Sequence, residues 1–160
     1  MSFMVRKAER QDMPQVLDLI KELAVFEKEP DAVEVTVEDL EKEGYGNNPL
    51  FHCFVAELDE KIVGIALVYY RFSTWKGRTI HLEDLIVSES HRGTGIGMAL
   101  YKKVMEFADD NKVKRVEWNV LDWNTNAIEF YENTGAHILD DWRVVQMSKE
   151  GLDNFVNKYL

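Results

Sequence analysis

Apolar and polar positions change period along this chain, and each change predicts an element. FMVRKA opens as a short strand. Asp12 stands where a helix N-cap belongs, and Met13, Val16, Leu17, Ile20, Leu23 and Ala24 then follow helical spacing. Thr36, with Asp39 after it, has the form of a capping box and predicts a second helix running toward Gly44. LFHCFVAEL and KIVGIALVYYRF are β-rich runs joined by a tight turn at Asp59-Glu60, a hairpin signal. RTIHLEDLIVS extends the meander. The polar, glycine-rich SESHRGTGIG comes next, and Ala99, Leu100, Val104, Phe107 and Ala108 mark one side of the helix it opens. VKRVEWNVL predicts a strand. DWNTNAIEFYENTGA predicts a helix stopped by Gly135, and HIL with WRVVQMS predicts a closing hairpin through Asp140-Asp141. The order β-α-α-β-β-β-α-β-α-β-β is that of an α+β domain with a mixed sheet. No repeat or Pro/Gly/Ser linker interrupts it, so residues 1–160 read as a single domain.

HLEDLIV, residues 81–87, breaks the strand pattern with two adjacent acids, Glu83 and Asp84. Alternation sends them to opposite faces unless the strand bulges there. An unpaired buried carboxylate is costly, which points to a strand that borders a cleft.

Composition narrows the function. The chain is 46% apolar and 30% charged, an ordinary globular balance, and its net charge of −10 repels nucleic acid and favours cations such as amines. Runs such as IVGIALVYY are too short to span a bilayer as a helix, and MSFMVRKAER lacks an apolar signal core. The lone cysteine, Cys53, excludes an internal disulfide and reads as a core thiol in a reducing cytoplasm. His52, His81 and His91 lack metal-ligand spacing, so no metal is expected.

HRGTGIG places Gly93, Gly95 and Gly97 between a strand and a helix. Backbone N–H groups at such a turn converge, the helix N-terminus adds a positive dipole end, and Arg92 adds a charge beside them. The spacing is not that of a dinucleotide fold, and Met98 stands where a Walker lysine would follow Gly97. By itself the motif fits either an anion site or a flexible helix cap.

Its context resembles the GNAT superfamily of acyl-coenzyme A-dependent N-acetyltransferases, whose R/Q-x-x-G-x-G/A motif Arg92, Gly95 and Gly97 fit. The resemblance implies a mixed, mostly antiparallel twisted sheet of about seven strands flanked by helices. IKELAVFE, HCFVAE, LEDLIVSESHRGTGIG and AIEFYENTGA further resemble the diamine (spermidine/spermine-type) acetyltransferase branch, and STWKGR with LDWN its thialysine-acetylating relative. Ser73 departs from the polyamine enzymes, which carry an aspartate there, and so removes one anion that would hold a polyamine.

The resemblance implies acetyl transfer from acetyl-coenzyme A to a primary amine of a small molecule, by direct attack in a ternary complex. The loop of Gly93, Thr94, Gly95, Ile96 and Gly97, with Arg92, would grip the pyrophosphate. The backbone of Leu85, Ile86 and Val87 would pair with the pantetheine arm. Asn124, Ala127 and Tyr131 would line the coenzyme, and Tyr131 would serve as general acid, a phenol being protonated at neutral pH. Glu83 and Asp84 are the acids for the amine, one to bind the ammonium and one to take its proton; Glu83 is expected to be the one that contacts the amine and to be catalytic, with Asp84 on the substrate side. Glu27 is a further acceptor-side acid. Trp75 would pack on the acceptor's aliphatic chain, and Lys76 or Arg78 would take an acceptor carboxylate. The branch also implies a homodimer. The alternatives are a protein or peptide N-acetyltransferase and a non-catalytic acetyl-coenzyme A-binding module.

Overall fold

A computed structural model describes residues 2–160. The β-rich runs pair as a five-stranded sheet in chain order: β1 (Met4–Lys7), β2 (His52–Leu58), β3 (Lys61–Ser73), β4 (Gly77–Val87) and β5 (Val116–Glu117). The first four are antiparallel and β5 runs parallel to β4. Asp59 and Glu60 turn the β2–β3 hairpin with φ of 49° and 63°, the left-handed backbone that a tight hairpin turn needs.

Two apolar layers cover the sheet. On one face, α1 (Met13–Phe26) and α2 (Val37–Tyr45) pack through Met13, Val16, Leu17, Leu19 and Leu40 onto Cys53, Val55, Ile65, Leu67 and Ile86. On the other, α3 (Ile96–Asp110) sets Ile96, Leu100, Val104 and Ala108, each one turn apart, against Phe54, Ala66, Val68, Ile80 and Leu82. Thr36 and Asp39 cap α2 reciprocally, as their spacing predicts. Asp12 precedes α1 but makes no side-chain cap bond to it. Its carboxylate accepts instead from Arg6 Nη1 at 2.7 Å, from Arg6 Nη2 at 3.1 Å and from the Glu9 N–H at 2.7 Å, tying β1 to the turn before the helix.

The chain forms two compact units, one ending at Asn119 and one running from Val120 to Leu160. The second holds α4 (Thr125–Asn133) and α5 (Lys149–Tyr159), with Gly135 just past α4 at φ 99°. The sheet is smaller than the seven strands expected. VKRVEWNVL contributes only Val116–Glu117, and neither residues 137–139 nor 142–148 form strands. A β-branched run fits a pleated surface only when a neighbouring strand offers one, and Val145 is 92% exposed. The sequence reading also missed α5. Ser148 caps it by accepting from the Gly151 N–H, a signal masked by the mostly polar KEGLDNFVNKY.

Candidate active site

The site grows from an irregularity in β4. Leu67 pairs with Asp84, yet the next residue of β3, Val68, pairs with Leu82. Glu83 is therefore an extra residue on β4, a β-bulge. The packing shows its effect. Before the bulge, Ile80 and Leu82 face the α3 layer; after it, Ile86 faces the α1 layer while Leu85 and Val87 pack toward α3. The alternation slips by one across Glu83 and Asp84, and both acids emerge on the α1 face. The bulge that is the exception to strand alternation is present, and with it the two acids no longer point apart.

Glu27, at the C-terminal cap of α1, joins them. The three carboxylates sense one another. Loss of surrounding water, and then the charge of Glu83, raise the Glu27 pKa above its ordinary value. Burial, followed by the charges of Glu83 and Glu27, pushes Asp84 up to about 7. Glu83 moves the other way. A hydrogen bond from His81, against the cost of desolvation and with a second bond from Tyr69, holds its carboxyl below the usual range. The result is an ionised carboxylate beside one that titrates near neutrality.

Three residues of this cluster were missed by the sequence reading: Tyr69, Arg71 and His81. Tyr69 donates its hydroxyl to Glu83 Oε2 at 3.0 Å, and His81 Nε2 lies 3.4 Å from the same oxygen. Arg71 Nη1 lies 3.2 Å from His81 Nδ1. Hairpin register brings them together, since Tyr69 pairs with His81 and Ser73 with Gly77. Counting back from Gly77 as the turn of a β3–β4 hairpin would have found the pair.

The backbone beside the acids is open on one edge. β5 pairs with β4 only at Ile80 and His81, and β3 follows β4 to Val87. Among the described residues, no strand covers the outer edge of β4 at Leu85, Ile86 and Val87. Such an edge presents N–H and C=O groups to an extended ligand.

The glycine loop follows directly. Gly93 and Gly95 take φ of 75° and 87°, a region that side-chain-bearing residues rarely adopt, and a Cβ on either would meet nothing within 4 Å. Gly95 is the N-cap of α3, so the amides of Ile96, Gly97 and Met98 open the helix without intrahelical acceptors. Unpaired amides at a helix N-terminus can hold an anion. Arg92 donates through Nε to the Val87 carbonyl at 3.0 Å, and its guanidinium carbon lies 5.4 Å from the centre of the Phe26 ring. That bond fixes the loop to the end of β4.

Trp75 is 79% exposed at the β3–β4 turn, where Ser73 Oγ accepts from the Trp75 and Lys76 N–H groups at 3.1 Å each. Ser73 thus organises the turn. Arg78 lies 4.7 Å from the centre of the Tyr70 ring, which packs toward the α3 layer. It therefore sits on the face opposite the acids, whereas Arg71 reaches His81, which in turn contacts Glu83.

In the second unit, Asn124 caps α4 by accepting from the Ala127 N–H at 3.3 Å. That bond uses only its side-chain oxygen and leaves the amide nitrogen as a donor. Tyr131 lies one turn beyond Ala127 and meets Phe130 edge-on at 5.5 Å. Among the described residues, no group of three or more His, Cys, Asp or Glu side chains is arranged to hold a metal ion, and no helix is long and apolar enough to cross a membrane.

Comparison with known proteins gives consistent results. The sequence model of the Acetyltransferase (GNAT) family matches residues 13–136. The thialysine N-epsilon-acetyltransferase of Bos taurus is 38% identical over 166 aligned residues, covering 97% of this chain and 98% of that one. The spermidine/spermine N(1)-acetyltransferase-like protein 1 of Homo sapiens is 35% identical over 94% of this chain and 23% of its own length. Among solved structures, an integron cassette protein from the mobile metagenome of V. cholerae superposes with a TM-score of 0.81, covering 99% of both chains at 22% identity.

Proposed function

The chain belongs to the acetyltransferase (GNAT) family, and on that premise we propose that it transfers acetyl from acetyl-coenzyme A to a primary amine of a small molecule. A thialysine- or lysine-like amino acid, or a di- or polyamine, is the acceptor class. The observation that carries this reading is the joint presentation of Glu83 and Asp84 on one face, with Glu27 coupled to both. An anionic cluster binds an alkylammonium, and a carboxyl that titrates near neutrality removes its proton.

The residues divide the work as follows. Glu83, held ionised by His81 and Tyr69, binds the ammonium. Asp84, with its pKa raised to about 7, takes the proton and frees the amine to attack. Acetyl-coenzyme A supplies the acetyl group, activated as a thioester. The loop from Arg92 through Gly93, Thr94, Gly95 and Ile96 to Gly97 holds its pyrophosphate, with Asn124 and Ala127 as further contacts. The open edge at Leu85, Ile86 and Val87 binds the pantetheine arm and directs an amide at the thioester oxygen, where negative charge develops. Tyr131, by its match to the family pattern, protonates the departing sulfur. Trp75 packs on the acceptor's chain. The whole of residues 1–160 works as one acetyltransferase, a homodimer in the cytoplasm.

A panel of thialysine, lysine, putrescine and spermidine tests the reading through thiol release from acetyl-coenzyme A. Transfer to at least one of these amines is expected, with recovery of the acetylated product. Acetylation of a basic peptide with none of the four accepted would overturn the small-molecule assignment. Coenzyme binding without any transfer would leave a binding module.

A further inference from the structure

Two neighbouring groups converge on one oxygen of Glu83, the Tyr69 hydroxyl as a hydrogen-bond donor and His81 Nε2 in a longer ion-pair contact. The Tyr69 hydroxyl and His81 Nε2 meet Oε2, at 3.0 and 3.4 Å, and among the described residues Oε1 has no hydrogen-bond partner. Side-chain rotation is thereby restrained, and one lone-pair face is left for a ligand.

The chemistry of His81 is fixed from its other side. Arg71 can only donate, so His81 Nδ1, 3.2 Å from Arg71 Nη1, must accept and carry no proton. A neutral imidazole carries a single N–H, which then lies on Nε2, 3.4 Å from Glu83 Oε2. His81 is only 7% exposed and its ring lies 5.1 Å from that of Tyr69, which leaves it little freedom to turn. Arg71 is held in turn by Glu117 Oε1 at 3.2 Å, and Glu117 Oε2 pairs with Arg115 Nε at 2.9 Å. Cross-strand register explains the assembly: His81 faces Tyr69 on β3 and Glu117 on β5. The row ends in a carboxylate of the acceptor cluster.

We propose that His81 is a positioning residue of the acceptor site: as the neutral Nε2–H tautomer imposed by Arg71, it clamps Glu83 Oε2 together with Tyr69 and presents Oε1 to the substrate ammonium. This deepens the acceptor reading above and rests on it. A histidine in this place joins two groups that would otherwise compete, since it accepts from a cation on one nitrogen and donates to an anion on the other. Direct Arg71–Glu83 pairing would neutralise the anion that the ammonium needs. Relaying the contact through the imidazole orients Glu83 and leaves its charge available.

Glutamine offers an acceptor oxygen and a donor NH2 group and can serve both contacts; leucine can serve neither. His81→Leu is expected to raise the acceptor KM about tenfold, the scale of one charge-assisted hydrogen bond, with the acetyl-coenzyme A KM unchanged. His81→Gln recovers most of that loss. Tyr69→Phe keeps the ring contact, removes only the other donor, and is expected to raise the same KM several-fold; it serves as the test if His81→Leu does not fold. An unchanged acceptor KM in Tyr69→Phe and His81→Leu, or equal impairment in the leucine and glutamine variants, overturns the clamp. Nitrogen-15 NMR of the imidazole in acceptor-free protein judges it independently of activity: protonated Nε2 supports the proposal and protonated Nδ1 refutes it. Should the wild-type chain acetylate none of the four amines, the acceptor reading fails by itself and the tautomer still decides the clamp.

Discussion

Glu83 and Asp84 are neighbours in an extended strand, yet they stand on the same face of the sheet. One extra residue in β4 opposite Leu67 and Val68 is enough to bring this about. The pair then acquires opposite electrostatic characters, with Glu83 lowered by His81 and Tyr69 and Asp84 raised by burial and by its acidic neighbours.

With the roles proposed above, that division predicts different kinetic signatures for the two amides. Glu83→Gln removes the anion that holds the ammonium, so the acceptor KM rises by about tenfold or more while kcat falls less. Asp84→Asn removes the proton acceptor, so kcat falls by about 100-fold or more, the scale of general-base catalysis. In the wild type, kcat/KM for the acceptor gains an acidic limb near pH 7, where Asp84 loses its proton. The limb disappears in Asp84→Asn. Steady-state pH profiles of the three proteins check this, and the reverse pattern would exchange the two roles.

The same carboxyl destabilises the fold. Asp84 keeps its proton up to about pH 7 in the folded chain, against an ordinary value of 3.8. Between these values the folded state binds the extra proton, so stability falls as pH rises through the window, and the loss is complete above it. Asp84→Asn should therefore be more stable than the wild type at pH 8, by about 1–2 kcal/mol, and show no advantage at pH 4. Denaturant unfolding at the two pH values measures the difference.

Asp12 behaves oppositely. The hydrogen bonds from Arg6, opposed by desolvation and aided by the Glu9 N–H, hold its carboxyl below 3.8. Its contribution is fully present above that value and is lost as pH falls through the lower, folded one. Asp12→Asn is expected to cost about 1–3 kcal/mol at pH 7, seen as a lower unfolding midpoint, with the acceptor KM unaltered.

Gly95 separates a helix cap from an anion cradle. Its φ of 87° strains any other residue, and a Cβ there meets no atom within 4 Å. Gly95→Ala thus perturbs the backbone by about 1 kcal/mol without a clash. Gly77, with φ of 84° and equal room at the β3–β4 turn, supplies a matched control. Gly95→Ala should weaken acetyl-coenzyme A binding by roughly tenfold in calorimetry, and Gly77→Ala should not. Equal effects would reduce the loop to a cap.

Legibility in the sequence followed the range of the physics involved. The helical spacing of α1, the Thr36–Asp39 box, the Asp59-Glu60 turn and the Gly135 stop depend on residues a few positions apart, and each appears where the pattern puts it. The open edge of β4 beside Leu85, Ile86 and Val87 also depends on pairing, since β5 reaches only Ile80 and His81. The bulge was unreadable because it exists only in the pairing between β3 and β4, and it reversed the facing of one of the two acids. Tyr69, Arg71, His81 and Glu117 come from three strands and meet only once register is set. WRVVQMS carried a strand pattern, yet among the described residues no strand pairs with it.

Tyr131 provides the last separation, between binding and proton transfer. It sits in α4, where Asn124 caps the helix through the Ala127 N–H and Phe130 meets the Tyr131 ring edge-on. Tyr131→Phe preserves the ring and its packing and deletes only the hydroxyl. A hydroxyl that merely packs would leave turnover near the wild-type value. A hydroxyl that donates its proton to the departing sulfur acts only as the carbon–sulfur bond breaks, so its loss falls on kcat. The expected outcome is a fall in kcat of about 100-fold with the acetyl-coenzyme A dissociation constant within about twofold of wild type. An acyl donor with a more acidic thiol needs less protonation on leaving, so it should recover part of the lost rate. Recovery with such a donor identifies the hydroxyl as the acid; a uniform loss across donors assigns it to positioning.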